Sequence, residues 1–519
     1  MTILDSFSAY LNLAGQVFNR TVKLNTLATP LGTLPPINHE LLELLVEESE
    51  RESLKRPRMS WTICYIAERA CRNQKVDLFT CSLAAWCLGR ASNHWAQPYK
   101  AQRAIKRARK GFTKLKEPFW LAACDWQTYE LDWFNQDLIL AEKKLSDACT
   151  VFSSQSVDDF QAPCLLSLAQ VQLFNNSYRK ARKTLNFCET RIMYQKDELN
   201  YARFLLVNAD LACRKKSFKE AEKYFSKVKN IFYRYSSYLD LGKFYYFYGI
   251  FYLYHTTDFD QVYKQFDTAL FYFSKADLDV WEGLCLLQLG LLHMQTGRNI
   301  EANSFLIYAE TIFSRNKIET LIAQNLTALG KLNVLTGNPE ESNTQLKKAL
   351  YLHTKMGKPI SIGIDLVNLG EAYFLQGRLQ DCVKSFYAAY EIFEKNDDKT
   401  RLGLVQNNLA MYCLHLKEYK RAEHYINLAE NNLLPNNQLD AMTTISHIKA
   451  KIYLASGDIE KSEFILLNSL EKVKHAKLIP QIAMIELHLG ELKFLRNNYT
   501  EALSFLQAAK DKFTDTNNN

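Results

Sequence analysis

A small residue returns every forty positions through most of this chain, and that rhythm limits the possible folds more than any other feature. It stands at Gly89, Ala169, Ala209, Gly249, Gly290, Gly330, Gly370, Ala410, Ala450 and Gly490, with Tyr129 filling the slot between the first two. Every step is 40 residues except Gly249 to Gly290, where one residue enters at the turn His255-Thr256-Thr257-Asp258. A second column follows twelve positions later, at Ala101, Ala141, Ala181, Ala221, Ala302, Ser342, Cys382, Ala422, Ser462 and Ala502. A third lies seven further on, running from Ala108 through Val228 and Ala349 to Ala509. A fixed period of this kind means stacked copies of one supersecondary unit, so the 519 residues do not translate into a domain count.

The spacing within each copy is helical. Two antiparallel helices approach closely only where their facing residues are small. Leu306, Leu346, Phe386, Ile426, Leu466 and Leu506 stand four residues after the second column, one turn along the same helix face. Gly297, Gly337, Gly377 and Gly457 follow the first column by seven residues, where a helix end needs a left-handed residue. Ser217-x-x-Glu220, Asn338-x-x-Glu341 and Asn498-x-x-Glu501 then read as capping boxes opening the second helix. Pro339 suits a first helical position, because its missing N–H has no helical partner to lose. The reading is an all-α chain, an α-α superhelix of about eleven helix-turn-helix repeats over residues 58–515. Residues 1–57 are read as a proline-bearing linker (Thr29–Pro36) and an acidic amphipathic helix near Leu41–Glu50, and 516–519 as a polar tail. That acidic helix is expected to cap the open apolar end of the stack, or else to fold back into its groove.

Composition agrees with a packed helical array. Hydrophobic residues make up 47% and charged residues 23%, enough to bury a core. A net charge of +8 does not by itself argue for nucleic acid. The 12 cysteines are scattered singly without a CxxC, the usage of a reducing compartment, and the expectation is cytoplasmic. No apolar run is long enough to span a membrane, and the first residues, MTILDSFSAYLNLAG, lack the basic start of a signal peptide.

The columns resemble the tetratricopeptide (TPR) repeat: Leu329-Gly330 with Ser342, Leu346 and Ala349, or Leu369-Gly370 with Cys382, Phe386 and Ala389. The resemblance covers about residues 80 to 512, with a period of 40 in place of 34 and the first-helix aromatic only partly kept (Tyr373, Tyr453). The longer period is similar to arrays in kinesin light chains, in peptide-sensing regulators, in MalT-like regulators and in proteins with a CHAT (caspase-like) peptidase. No peptidase, ATPase or DNA-binding domain is expected after the last repeat, so none of their activities is carried over.

The resemblance implies a concave groove that holds a peptide or protein partner. The groove positions lie six and three before, and one and four after, the first column. They include Trp126, Trp133, Arg203, Lys243, Tyr246, Lys331, Glu371, Phe374, Asn407, His447 and Lys451. Asn368 and Asn408 resemble the asparagines with which related arrays grip a peptide backbone, the bland alternative being a bond to a neighbouring helix or water. Arg203, Lys243 and Lys451 favour an acidic ligand. The aromatic run Phe244-Tyr245-Tyr246-Phe247-Tyr248 cannot all be core, and Tyr246, with Tyr245 second, is set against thick inter-repeat packing. Arg103, Arg107, Lys110 and Lys114 form a basic stripe on one helix, read first as a solvated outer face and second as a nucleic-acid surface.

No nucleotide loop, HExxH, GxSxG or metal-spaced cysteine cluster is present, so neither an enzyme nor a cofactor is expected. The leading expectation is a protein-interaction scaffold or sensor. Its rivals are a docking subunit for a separately encoded effector, such as a caspase-like peptidase or signalling ATPase, and nucleic-acid binding. The oligomeric state is left open.

Overall fold

The computed structural model describes residues 2–517 apart from 75, 136, 156, 196, 257, 434–438 and 476–477. Among these residues every regular element is a helix. The chain divides into two compact units, Met1–Cys285 and Leu286–Asn519.

The first unit opens with α1 (Ile3–Phe18), α2 (Ala28–Gly32), α3 (His39–Ser53) and α4 (Pro57–Asn73). Regular pairs follow: α5 (Leu78–His94) with α6 (Pro98–Leu115), and α7 (Pro118–Phe134) with α8 (Leu138–Ser154). Next come α9 (Asp158–Phe174) with α10 (Tyr178–Gln195), and α11 (Glu198–Arg214) with α12 (Phe218–Arg234). The unit ends with α13 (Tyr238–His255), α14 (Phe259–Lys275) and the first half of α15 (Asp279–Gln295).

In the second unit α15 pairs with α16 (Asn299–Asn316), α17 (Glu319–Leu335) with α18 (Pro339–Lys355), and α19 (Pro359–Leu375) with α20 (Leu379–Lys395). The last pairs are α21 (Lys399–His415) with α22 (Tyr419–Leu433), α23 (Leu439–Ala455) with α24 (Ile459–His475), and α25 (Ile479–Leu495) with α26 (Tyr499–Asn517). Within this unit α26 comes back to touch α16.

The small-residue columns do what their spacing requires. A Cβ on Gly370 would stand 2.4 Å from the Phe386 ring, and one on Gly330 2.5 Å from Leu346 Cγ. The large residue four places beyond the second column therefore fills the space that the first column leaves. Leu306, Leu346, Phe386, Ile426 and Leu466 are all buried.

The turns are tighter than capping boxes allow. Lys216 adopts a left-handed backbone (φ 58°) and its N–H donates to the Cys213 carbonyl, while the Ser217 N–H donates to the Ala212 carbonyl. This is a Schellman ending, and Ser217 is at once its last residue and the N-cap of α12. Gly337 and Asn338 repeat the geometry before α18. Here the sequence reading needs correction. A capping box requires a free N-cap N–H for the glutamate to receive, and in these turns that N–H is already spent on the preceding helix. Neither the Ser217 nor the Asn338 side chain caps its helix; only Asn498 Oδ1 accepts, from the Glu501 N–H at 3.4 Å.

Left-handed residues also stand at the inter-repeat turns, eight places after the third column: Lys116, Ser236, Asp277, Lys317, Gly357 and Asp397. At the one-residue insertion, α13 runs one residue further than its neighbours, and Thr256 is extended with its hydroxyl accepting from the Asp258 N–H. Thr257 lies outside the described residues.

In the N-terminal segment the Thr29–Pro36 stretch holds part of α2, with Leu31 buried. Leu41, Leu42 and Leu45 of α3 pack with Tyr10, Leu13 and Val17 of α1 and with Ile63 and Ile66 of α4.

Candidate functional site

In the first unit, helices α5, α7, α9, α11 and α13 turn one face each toward a common cavity of about 510 Å3, with Glu50 of α3 joining them. Each repeat presents the same register positions to the same side. Trp126, Arg203 and Lys243 line the cavity. Trp126 is largely buried, with its ring against Phe152 and Phe160 and its Nε1 donating to Ser167 Oγ at 3.3 Å.

Arg203 is held as a fork. Its Nε donates to Asp240 Oδ1 at 3.0 Å, its Nη2 to Asp240 Oδ2 at 2.8 Å and its Nη1 to Asn200 Oδ1 at 3.2 Å. Burial would raise the Asp240 carboxyl, but the Arg203 charge and hydrogen bonds, with the Ser237 hydroxyl, hold it below its ordinary value. Arg90 is paired with Glu50 through a single bond, Nη1 donating to Oε1. Burial, aided by Arg90, Arg203 and Lys243, pushes His94 down to about 3. Glu130 moves in the opposite sense: burial pushes it up to about 7, only partly countered by Lys243.

A second recess adjoins this cavity and shares Tyr129, Glu130, Gln170, Lys243 and Phe247 with it. There Trp133 stacks on Trp281 with centroids 6.0 Å apart, and the Lys243 ammonium lies 5.1 Å from the centre of the same indole. Tyr246 packs edge-on against Trp281 and Phe266. Tyr245 turns the other way: its hydroxyl meets that of Tyr233 and its ring stacks on Tyr272, so it belongs to the packing between α12 and α14.

The unit closes on itself around the cavity. The Tyr238 N–H donates to the Leu54 carbonyl at 2.9 Å, and Trp95 Nε1 donates to the Asp277 carbonyl at 2.8 Å. Arg58 bridges the Asp277 carboxylate at 3.1 Å. Residues 182 and 219 positions apart thus form one clasp.

The second unit gathers the remaining groove residues. Asn408 Nδ2 donates to Glu371 Oε1 at 2.8 Å, and Lys331 lies close enough to lower a Glu371 carboxyl that burial raises. Phe374 meets His415 edge-on. Asn368 and Asn407 are buried, the latter with its Oδ1 lacking a hydrogen bond. The rings of His447 and His488 lie 3.9 Å apart, and burial, His488 and Lys451 push His447 down to about 2. On α6, Arg103, Arg107, Lys110 and Lys114 are all exposed and none lines the cavity, and Arg107 donates to the buried Glu68 at 2.8 Å.

Sequence reasoning missed Asn93, Glu130 and Asp240. Asn93 and Glu130 occupy the very offsets used to choose candidates, four and one after the column. Asp240 lies nine before it, one turn beyond those offsets. A usable signal existed in the pairing distance. Inner-face partners recur just under one period apart: Arg203 with Asp240 and Asn408 with Glu371 at 37 residues, and Thr327 with Asp365 at 38.

No helix among the described residues is long and apolar enough to cross a membrane. No curated protein matches the sequence. Residues 365–433 match the tetratricopeptide repeat family. Among solved structures, a Rap protein in complex with Competence and Sporulation Factor is similar over 69% of this chain and 99% of its own, with 14% identity and a TM-score of 0.55. The Rap conjugation gene regulator of plasmid pLS20, in complex with the Phr* peptide, matches over 69% and 96% with 13% identity and a TM-score of 0.48. A putative kinesin light chain repeat protein of Podosopora anserina matches over 38% and 96% with 16% identity and a TM-score of 0.29. Residues 365–433 are thus of the tetratricopeptide repeat type, and the helix pairs before and after them keep the same register and left-handed turns.

Proposed function

We propose that this chain is a non-catalytic interaction scaffold that takes a peptide, or an extended segment of a partner protein, into the cavity of its first unit. The observation that carries the reading is the cavity itself. Its volume of about 510 Å3 falls within the range of small-ligand sites, and its wall is built from repeat-phased helices carrying both aromatic and charged groups. Such a mixture suits recognition, because aromatic faces supply contact area and paired charges fix orientation. The similar fold of the Rap protein solved with Competence and Sporulation Factor lends support. The 12 cysteines are free thiols, which suits a reducing compartment such as the cytoplasm.

Affinity capture tests the reading with three proteins: wild type, a Lys243→Ala/Tyr246→Ala double variant and Asn408→Ala. The double variant should lose the partners that wild type recovers, while Asn408→Ala keeps them. Recovery of the same partners by the double variant sinks the assignment.

A further inference from the structure

We infer that the cavity of the first unit receives a cationic group, an ammonium or guanidinium, on Glu130 and Asn93. This rests on the reading of that cavity as the binding site and adds the charge of what it binds. The lining carries five carboxylates, Glu50, Glu130, Asp159, Asp197 and Asp240, against the cations Arg90, Arg203 and Lys243.

Most of these are occupied. Glu50 holds Arg90, Asp240 holds Arg203, and Asp197 caps α11 by accepting from the Asn200 N–H. Asp159 is also engaged within the chain. Lys243 directs its ammonium over the Trp281 ring in the adjoining recess. Among the described residues no hydrogen bond reaches the Glu130 carboxylate, and no charge but that of Lys243 offsets its burial.

Asn93 supplies an independent observation. It is only 7% exposed, and its Nδ2 donates both to the Gln127 carbonyl at 2.7 Å and to Gln127 Oε1 at 3.1 Å. Two acceptors on one side fix the amide with its oxygen turned the other way. That Oδ1 is buried without a donor. A buried acceptor left unmade is costly, and a ligand N–H is what removes the cost. The Glu130 carboxylate and Asn93 Oδ1 are thus two acceptors on the lining of one cavity. Trp126, Tyr129, Phe160 and Phe247 also line the cavity, and aromatic rings are a residue type that attracts a cation. His94 adds no competing charge, because its imidazole stays neutral at physiological pH. Of the three residues on which an acidic ligand was expected, Arg203, Lys243 and Lys451, the first is paired with Asp240 and the second lies over Trp281, so neither competes with this inference.

A cation of this kind is carried by a basic peptide or by a free polyamine, and the test separates them. The full chain is challenged with three acetylated, amidated tripeptide pools whose central residue is Lys/Arg, Asp/Glu or Ala/Leu, and separately with spermidine. The basic pool should be retained at least tenfold over the acidic one, with Glu130→Gln removing most of that excess. Spermidine that binds in direct calorimetry, with no peptide pool retained, supports the inference but assigns the cation to a small polyamine and overturns the peptide reading.

Leu206→Trp, which fills the cavity, separates the two ideas. If the acidic or uncharged pool is preferred and Leu206→Trp abolishes its retention, the cavity binds but the cation inference falls. If Leu206→Trp leaves basic-pool retention intact, or if neither the pools nor spermidine bind, both fall. Should Glu130→Gln not fold, the pool preference of the wild type still decides.

Discussion

Gly249 and Gly370 hold the same slot of the register, yet the helices that carry them meet different surroundings. Around α13 the inner-face polar groups are charges held in pairs beside an open cavity: Arg203 with Asp240, Arg90 with Glu50, and Glu130 left without a partner. Around α19 polar groups are spent on tying one helix to the next. Asp365 accepts from Thr327 Oγ1 on α17 and lies 2.7 Å from His353 Nδ1 on α18, at full burial. Asn408 donates to Glu371, and Asn325 Nδ2 on α17 donates to the Leu306 carbonyl of α16 at 2.9 Å. The comparison teaches that register fixes where a side chain points and not what it does there. The cavity beside α13 keeps polar groups facing space, whereas around α19 Asp365, Thr327, Glu371 and Asn408 are consumed in cohesion.

The sharpest way to break this contrast is at Asp365. Asp365→Ala strands His353 in a buried site and should cost about 3 kcal/mol, read as a lower denaturant midpoint. Faster amide exchange should stay within residues 286–519. Spread of the loss into the first unit would show that the polar network is not local to its own helices.

The shared column offers the next test. A Cβ at position 370 meets Phe386 at 2.4 Å, whereas at 249 it meets Phe266 at 3.0 Å. Gly370→Ala should therefore cost about 1–3 kcal/mol, and Gly249→Ala clearly less. Equal losses in thermal unfolding would mean that the Gly249 slot is packed as tightly as the Gly370 slot.

Glu130 should behave in the opposite sense. Its ordinary value of 4.5 is raised to about 7 in the folded chain. The folded state therefore holds that proton more tightly than the unfolded one. The associated stability is complete below 4.5 and disappears as pH climbs through 7. Glu130→Gln should match wild type near pH 4 and exceed it by about 1 kcal/mol at pH 8, after allowance for partial solvent screening. A stability gap that does not widen with pH would mean that the carboxylate already has a partner.

The smallest effect is expected at the clasp. Trp95→Phe deletes the donor to the Asp277 carbonyl and should cost about 1 kcal/mol, with faster exchange near residues 275–280. No change there would show that Arg58 and Leu54 close the first unit without it.

The fold was legible because its two demands are chemical and local. Close helix approach excludes large side chains at Gly330 and Gly370, and a reversal in a single step demands the left-handed backbone of Gly337 and Gly377. The closure between Trp95 and Asp277 was not legible. It depends on small rotations accumulated over successive helix pairs, which packing volumes set and no single residue encodes. The candidate site lay between these cases. Trp126, Arg203 and Lys243 followed from register, but Asp240 sits one turn outside the positions considered. Without it Arg203 looked like a free cation. Ser217 and Asn338 carried the letters of a capping box, but the turn had already claimed their N–H groups.

That doubly used turn residue has a consequence for how such a chain can change length. Ser217 ends one helix and begins the next, so the reversal contains no spare link. A residue added there must be absorbed by a neighbouring helix, as α13 absorbs one before Thr256. The array is in this sense quantised: whole forty-residue modules can be gained or lost without disturbing their neighbours, while single insertions are confined to the few joints that can swallow them.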